Sequence, residues 1–140
     1  MYLAGKTTRV MKFVVQLFLA VVAIVWATAS VFANDEQDCF QGHETQVRIR
    51  SCSDIIRRSP DVAAAYHNRA FAYEMAGDLD NAIADYSRVI ALEPSNASAY
   101  ANRGRALATK GDYSHALEDA ITARDLIEKA TADPGWHQDQ

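Results

Sequence analysis

The chain has 140 residues, 49% of them hydrophobic, and its 18 acidic and 14 basic residues give a net charge of −4 at neutral pH. This length is enough for one small domain with a modest core, but not for two. The acidic balance argues against nucleic acid as a partner, because phosphate binding requires a positive stripe.

The N-terminal segment, 1–33, has the layout of a secretory signal peptide. An almost unbroken apolar run covers residues 13–26, and small residues follow up to Ala33. Basic side chains come before the run, at Lys6, Arg9 and Lys12. This basic, apolar, small-residue order predicts a signal peptide over 1–33 with cleavage after Ala33.

An uncleaved membrane anchor is the alternative, because residues 13–33 match the roughly 20 apolar residues that span a bilayer. Met1 and Met11 are both candidate starts. Either alternative places the rest of the chain outside the cytoplasm, periplasmic or secreted after cleavage and otherwise membrane-anchored through this segment alone. Cleavage removes three basic residues and no acidic ones, so the net charge of −4 falls by three to −7 on the mature chain.

Residues 63–96 and 97–130 are two copies of one 34-residue unit. Eleven of the 34 aligned positions are identical, and most of these are small, turn-forming or large apolar residues. Self-similarity at this period is typical of stacked supersecondary units.

Each copy is predicted to form a helix, a tight break and a second helix. In the first copy, residues 63–76 place their large apolar side chains at helical spacing. Gly77 ends this helix, and Asp78 can accept hydrogen bonds from the first amides of the next one. The second helix covers about 79–92, and Pro94 stops it.

The second copy repeats this plan around Gly111 and Asp112. Polar side chains on its last helix form an outer stripe that would let this helix end the array without a dedicated cap: Glu118, Thr122, Asp125 and Lys129. Residues 131–140 are predicted to be a flexible C-terminal tail.

The repeat resembles the tetratricopeptide repeat (TPR), whose 34-residue pattern places aromatic, small and proline residues at fixed positions. The first copy matches with Tyr66, Ala70, Tyr73, Ala82, Tyr86 and Pro94. The second matches with Tyr100, Gly104 and Ala116. The resemblance implies an all-α fold, a short solenoid of antiparallel helix pairs preceded by the signal helix, with repeats at 63–96 and 97–130. It also implies a protein or peptide as the partner and no cofactor.

A degenerate earlier unit is expected over 34–62, because the pattern continues weakly one repeat length before the first copy. In this alignment Cys39 and Cys52 fall at two positions that lie close together on the facing helices of a TPR unit. The resemblance therefore implies a Cys39–Cys52 disulfide. Two free thiols, or a metal site that also uses His43, are the alternatives.

The first helix of each TPR pair lines the concave side of the solenoid, so its side chains that are not needed for packing can contact a ligand. These candidate peptide-binding residues are His67, Asn68, Phe71, Glu74, Met75, Asn102, Arg105 and Thr109. Asn68 and Asn102 each offer a donor and an acceptor to a peptide main chain. Hydrogen bonds between neighbouring helices are the alternative role for both asparagines.

Arg69 and Arg103 are expected to pair with Asp85 and Asp119, or to extend along the surface, rather than to hold a ligand. The four histidines have no catalytic motif around them, so neither an enzyme nor a small-molecule substrate is expected. The sequence thus favours an exported adaptor that binds a peptide segment of another protein. The alternative is a structural module that joins end to end as a homo-oligomer.

Overall fold

The computed structural model describes Met11, residues 14–22 and residues 35–132. The chain divides into two compact units, Met1–Asn34 and Asp35–Gln140. In the first unit, residues 14–22 are helical and mostly exposed. No helix within the described ranges is both long and apolar enough to cross a membrane. Most of the predicted signal segment, including its cleavage point after Ala33, lies outside the described residues.

The described part of the second unit consists of six helices and contains no strand. From the second helix onward, each helix packs against the next. The helices are α1 over 35–41, α2 Thr45–Arg58, α3 Ala63–Met75, α4 Leu79–Leu92, α5 Ala97–Lys110 and α6 Tyr113–Ala132. The predicted all-helical fold is confirmed for these residues. Because α6 ends at Ala132, the first two residues of the predicted tail are helical, and 133–140 lie outside the described residues.

A glycine ends the first helix of each of the two repeats. Gly77 and Gly111 have φ angles of +79° and +94°, in the left-handed region that a side chain disfavours. The residues that follow them, Asp78 and Asp112, each donate their backbone N–H to the carbonyl five residues earlier, at 2.9 Å. The same closure therefore occurs at equivalent positions of the two repeats.

The apolar interior runs along the array in three neighbouring clusters. Ile56 packs against the first two of them. The clusters are Cys39, Cys52, Ile55 and Ala65; Ala63, Tyr66, Val89 and Ala99; and Ala70, Ala82 and Tyr86. Burial of these faces against neighbouring helices, rather than intrinsic helix propensity, is what stabilises helices of this length.

A repeated arginine network connects successive helix pairs. Arg69 on α3 donates to both carboxylate oxygens of Asp85 on α4, at 2.7 and 2.8 Å, and to the hydroxyl of Ser53 on α2 at 2.9 Å. Both aspartate pairings expected from the sequence are confirmed.

The same network recurs in the second repeat. Arg103 donates to Asp119 at 2.8 and 2.7 Å and to Ser87 on α4 at 3.0 Å. Each arginine therefore ties its own helix pair to the second helix of the preceding pair. Ser53 accepts from Arg69 as Ser87 accepts from Arg103. The contact between α2 and α3 is therefore equivalent to the contact between α4 and α5.

Candidate functional site

The first-helix face comprises the eight candidate residues named from the sequence: His67, Asn68, Phe71, Glu74 and Met75 on α3, and Asn102, Arg105 and Thr109 on α5. Two side-chain contacts connect the two helices across this face. One joins Glu74 to Arg105, and the other joins His67 to Asn102. The structure therefore brings the two halves of the predicted face together.

Glu74 is the centre of the first contact. Arg105 donates from Nε to Oε1 at 2.8 Å and from Nη2 to Oε2 at 2.9 Å, and the Tyr86 hydroxyl donates to Oε2 at 3.3 Å. The hydrogen bonds from Arg105 are the main cause of a lowered Glu74 pKa, and they raise the pKa of Arg105. Burial, followed by the charge of Glu74, raises the pKa of Tyr86. At neutral pH Glu74 is therefore ionised, Arg105 is protonated and the Tyr86 hydroxyl is neutral.

His67 and Asn102 make the second contact. The amide nitrogen Nδ2 of Asn102 lies 3.1 Å from Nε2 of His67, and the imidazole stands edge-on to the Tyr86 ring with centroids 5.6 Å apart. Burial lowers the pKa of His67, against a smaller opposing effect of Glu93. A neutral imidazole protonated on Nδ1 can accept from Asn102 at Nε2.

The two asparagines do not behave alike. Asn102 makes the interhelical contact, whereas Asn68 donates from Nδ2 to the carbonyl of Ala64 on its own helix, at 2.8 Å. Interhelical bonding, the alternative role inferred from the sequence, therefore applies to Asn102 and not to Asn68. Among the described residues, no donor is bonded to the Oδ1 atom of either side chain, so both oxygens can accept from a ligand.

An open depression of about 470 Å³ lies between the C-terminal ends of α3 and α5. Five of the eight candidates line it, together with Gly77 and Leu79: Phe71, Glu74, Met75, Arg105 and Thr109. Apolar walls are supplied by Phe71 and Met75, both exposed, the latter to 67%. His67 and Asn68 line a separate depression of about 260 Å³ nearer the start of α3, and Asn102 lines neither.

Sequence reasoning did not identify Arg48 as a neighbour of this face. Its guanidinium lies 5.7 Å from the centre of the Phe71 ring, within the range of a cation–π contact. In the repeat alignment Arg48 corresponds to Ala82, so the periodicity offered no signal for it. Leu79 was also missed, because in the sequence it served only to mark the start of the second helix.

Cys39 and Cys52 form a disulfide-like pair at the N-terminal end of the array. Their Cα atoms lie 4.8 Å apart and both residues are fully buried. The pair joins α1 to α2, as the TPR resemblance implies. In the part of the chain that the structure describes, no three His, Cys, Asp or Glu side chains are grouped so that they could hold a metal ion.

A family model described as TPR repeat matches residues 76–111, which include α4 and α5. A crystal structure of MamA superposes with a TM-score of 0.64 at 28% sequence identity, over 67% of this chain and 55% of that one. These findings support a TPR protein. The chain spans about half the length of the MamA chain that it matches.

Two further TPR-like structures show the same fold at lower identity. The second TPR of Spaghetti (RPAP3), solved with a bound HSP90 peptide, matches with a TM-score of 0.60 at 24% identity, over 69% of this chain and 98% of that one. An O-GlcNAc transferase from Thermobaculum terrenum matches with a TM-score of 0.60 at 22% identity, over 71% of this chain and 19% of that one. Comparison with curated protein sequences found no match.

Proposed function

We propose that this TPR protein is a non-enzymatic, exported adaptor that binds an extended peptide segment of another protein through the first-helix face. The observation that carries the proposal is the pair of contacts between α3 and α5, Glu74 with Arg105 and His67 with Asn102. These contacts hold the two helices in register beside an open depression. The RPAP3 structure supports the proposal, because an array of this fold there holds a peptide.

The chemistry of the face fits a peptide that carries an apolar side chain. Phe71 and Met75 offer exposed apolar surface in the depression. The free Oδ1 atoms of Asn68 and Asn102 are acceptors for main-chain N–H groups of an extended segment. Arg105 is held by Glu74 before any ligand arrives, so less side-chain entropy is lost on binding.

A displayed peptide library tests this function. Peptides selected on the full chain are retested on the double variant Asn102→Ala, Arg105→Ala, whose helix content is checked by circular dichroism. We expect at least a tenfold loss of affinity, because both changes remove polar groups from the face while leaving its apolar floor. The matched control is Glu118→Ala, Arg124→Ala on the exposed side of α6, which should bind as the wild type does. Equal binding by both double variants would refute the proposal.

Export is the second part of the proposal, and two features support it. The order of basic, apolar and small residues before Ala33 is typical of a signal peptide, and the Cys39–Cys52 pair suits an oxidising compartment. N-terminal sequencing of the protein from its native host tests the cleavage. A first residue of Asn34 is expected, whereas a start at Met1 or Met11 would favour the membrane anchor.

Self-association is a second candidate function, and an observation on α6 favours it. Tyr113, Leu117 and Ile121 leave large apolar surface exposed at the C-terminal end of the array. Contact with a second copy of the chain would cover this surface. The mass of the protein in solution tests it: a concentration-dependent oligomer supports self-association, and a monomer at all concentrations refutes it.

A further inference from the structure

An apolar stripe runs along one side of α6. Tyr113, Leu117 and Ile121 follow one another at four-residue intervals, so they share a helix face. They are 73%, 62% and 42% exposed. The polar stripe expected to end the array, which includes Glu118 and Thr122, lies about a quarter-turn away around the helix. The apolar stripe is therefore a second surface of α6, separate from the polar stripe predicted from the sequence.

The repeat shows what this stripe corresponds to. The equivalent positions of the first repeat, on α4, are Leu79, Ile83 and Ser87, and all three are half-buried. α5 packs against α4, and Arg103 on α5 bonds to Ser87. The α6 stripe is therefore the surface on which the first helix of a following repeat would lie.

Ile121 makes this surface unfavourable for the packing of a following repeat. In the arginine network, Ser53 and Ser87 accept from the arginine of the next helix pair, but the corresponding residue of α6 is Ile121. An arginine placed there would lose its hydroxyl acceptor. A buried charged group that lacks part of its hydrogen bonding is costly.

The N-terminal end of a second copy fits no better. The residue one repeat length before Arg69 is Asp35, which pairs with Arg58 at 3.0 Å. End-to-end stacking would bring the Asp35 carboxylate towards Ile121. Burial of a carboxylate against an apolar side chain is unfavourable, so the stripe does not suit the end-to-end arrangement.

We infer that two copies of this chain pair through their α6 stripes, antiparallel and related by a two-fold axis. In this arrangement Leu117 of one copy meets Ile121 of the other, and Tyr113 lies on the same flank as the second copy's Arg124. An arginine beside a tyrosine ring is a contact that this chain already uses, with Arg103 lying 5.7 Å from the centre of the Tyr100 ring.

Such a dimer does not add a third copy, because the α6 stripe of each copy is covered by the same stripe of the other copy. The surface is separate from the first-helix face. The inference therefore goes beyond the adaptor function, and either can fail without the other.

Sedimentation velocity of the full chain over a concentration series is the test. The wild type should change from monomer to dimer and no further. Leu117→Glu should weaken the dimer at least tenfold, since it places two carboxylates in the contact. The matched control is Ala130→Glu, which adds the same carboxylate at an exposed position on another side of α6 and should leave the dimer intact.

Cysteine crosslinking then tests the orientation. A mixture of Leu117→Cys and Ile121→Cys chains should crosslink several times more than either variant alone, because an antiparallel pair places residue 117 opposite residue 121. A wild-type monomer at every concentration would overturn the inference. So would oligomers larger than two, equal effects of the two glutamate variants, or equal crosslinking in all three samples.

Discussion

Arg105 on α5 donates two hydrogen bonds to the carboxylate of Glu74 on α3, 31 residues earlier in the chain. Tyr86 on α4 donates a third. Three helices thus meet at one carboxylate on the proposed binding face. The contact ties the shape of the depression to the packing of the array.

Glu74→Gln should destabilise the protein by about 1 kcal/mol at neutral pH, because it weakens a charge-assisted pair whose arginine is half-exposed. Arg105 lowers the pKa of Glu74, so the contribution of this ionised carboxylate is full above the unfolded pKa of about 4.5 and is lost as the pH falls through the folded value. Urea unfolding of both proteins at pH 7 and at about pH 3 checks this. A difference in stability that does not shrink at the lower pH would contradict it.

Arg103→Met should cost about 3 kcal/mol of unfolding free energy. Asp119 is 5% exposed, and the substitution leaves its carboxylate buried without its cation. Arg57→Ala is the matched control, because exposed Arg57 pairs with Asp54 on its own helix, and its loss should leave the urea midpoint unchanged. If the two variants unfold at the same urea concentration, the arginine network does not stabilise the array.

His67 and His115 should titrate on opposite sides of pH 6.5. Burial lowers the pKa of His67, whereas the hydrogen bond to Asp112 raises the pKa of exposed His115. Their ring-proton NMR signals give both midpoints directly. A higher midpoint for His67 than for His115 would contradict this prediction.

The lowered His67 pKa also affects stability. The folded state favours the neutral imidazole, so this contribution is full above the unfolded pKa of about 6.5 and is lost as the pH falls from there through the folded value. Stability should therefore fall less steeply between about pH 7 and pH 5 in His67→Gln than in the wild type. Identical slopes in urea unfolding would contradict this account.

In protein purified without reductant, neither Cys39 nor Cys52 should react with an alkylating reagent. Mass spectrometry of the treated protein measures this. The double variant Cys39→Ala, Cys52→Ala should lose about 3 kcal/mol of stability, since closure of a loop of this length restricts the unfolded chain. Reductant should lower the urea midpoint of the wild type and leave that of the double variant unchanged. Two alkylated thiols in the wild type would exclude the bridge.

Much of the fold could be predicted because it depends on local features of the sequence. The helix breaks at Gly77 and Gly111 follow from the conformational freedom of glycine, and the spacing of apolar residues follows from the helix period. The arginine pairings were also predictable, since Arg69 and Arg103 occupy the same position in each copy, as do Asp85 and Asp119. Because the unit is repeated, a pattern found in one copy predicts the same pattern in the other copy.

The candidate site was predictable only in outline. The sequence assigned eight residues to the first-helix face, but it did not indicate that Glu74 and Arg105 would bind each other, or that Asn68 and Asn102 would differ. It also did not place Arg48 beside Phe71. These contacts join residues at unlike positions in the repeat, so their distances depend on how the helices are packed.

By itself, the sequence determined a duplicated helical hairpin, its breaks and its repeated pairs, because these depend on neighbours in the chain and on a fixed period. Only the tertiary structure decided which side chains on the first-helix face are already paired, and which side of α6 remains apolar and exposed. Such facts depend on the approach of one helix to another. The angles and separations of packed helices result from the summed packing of many side chains, and no single segment of sequence specifies them.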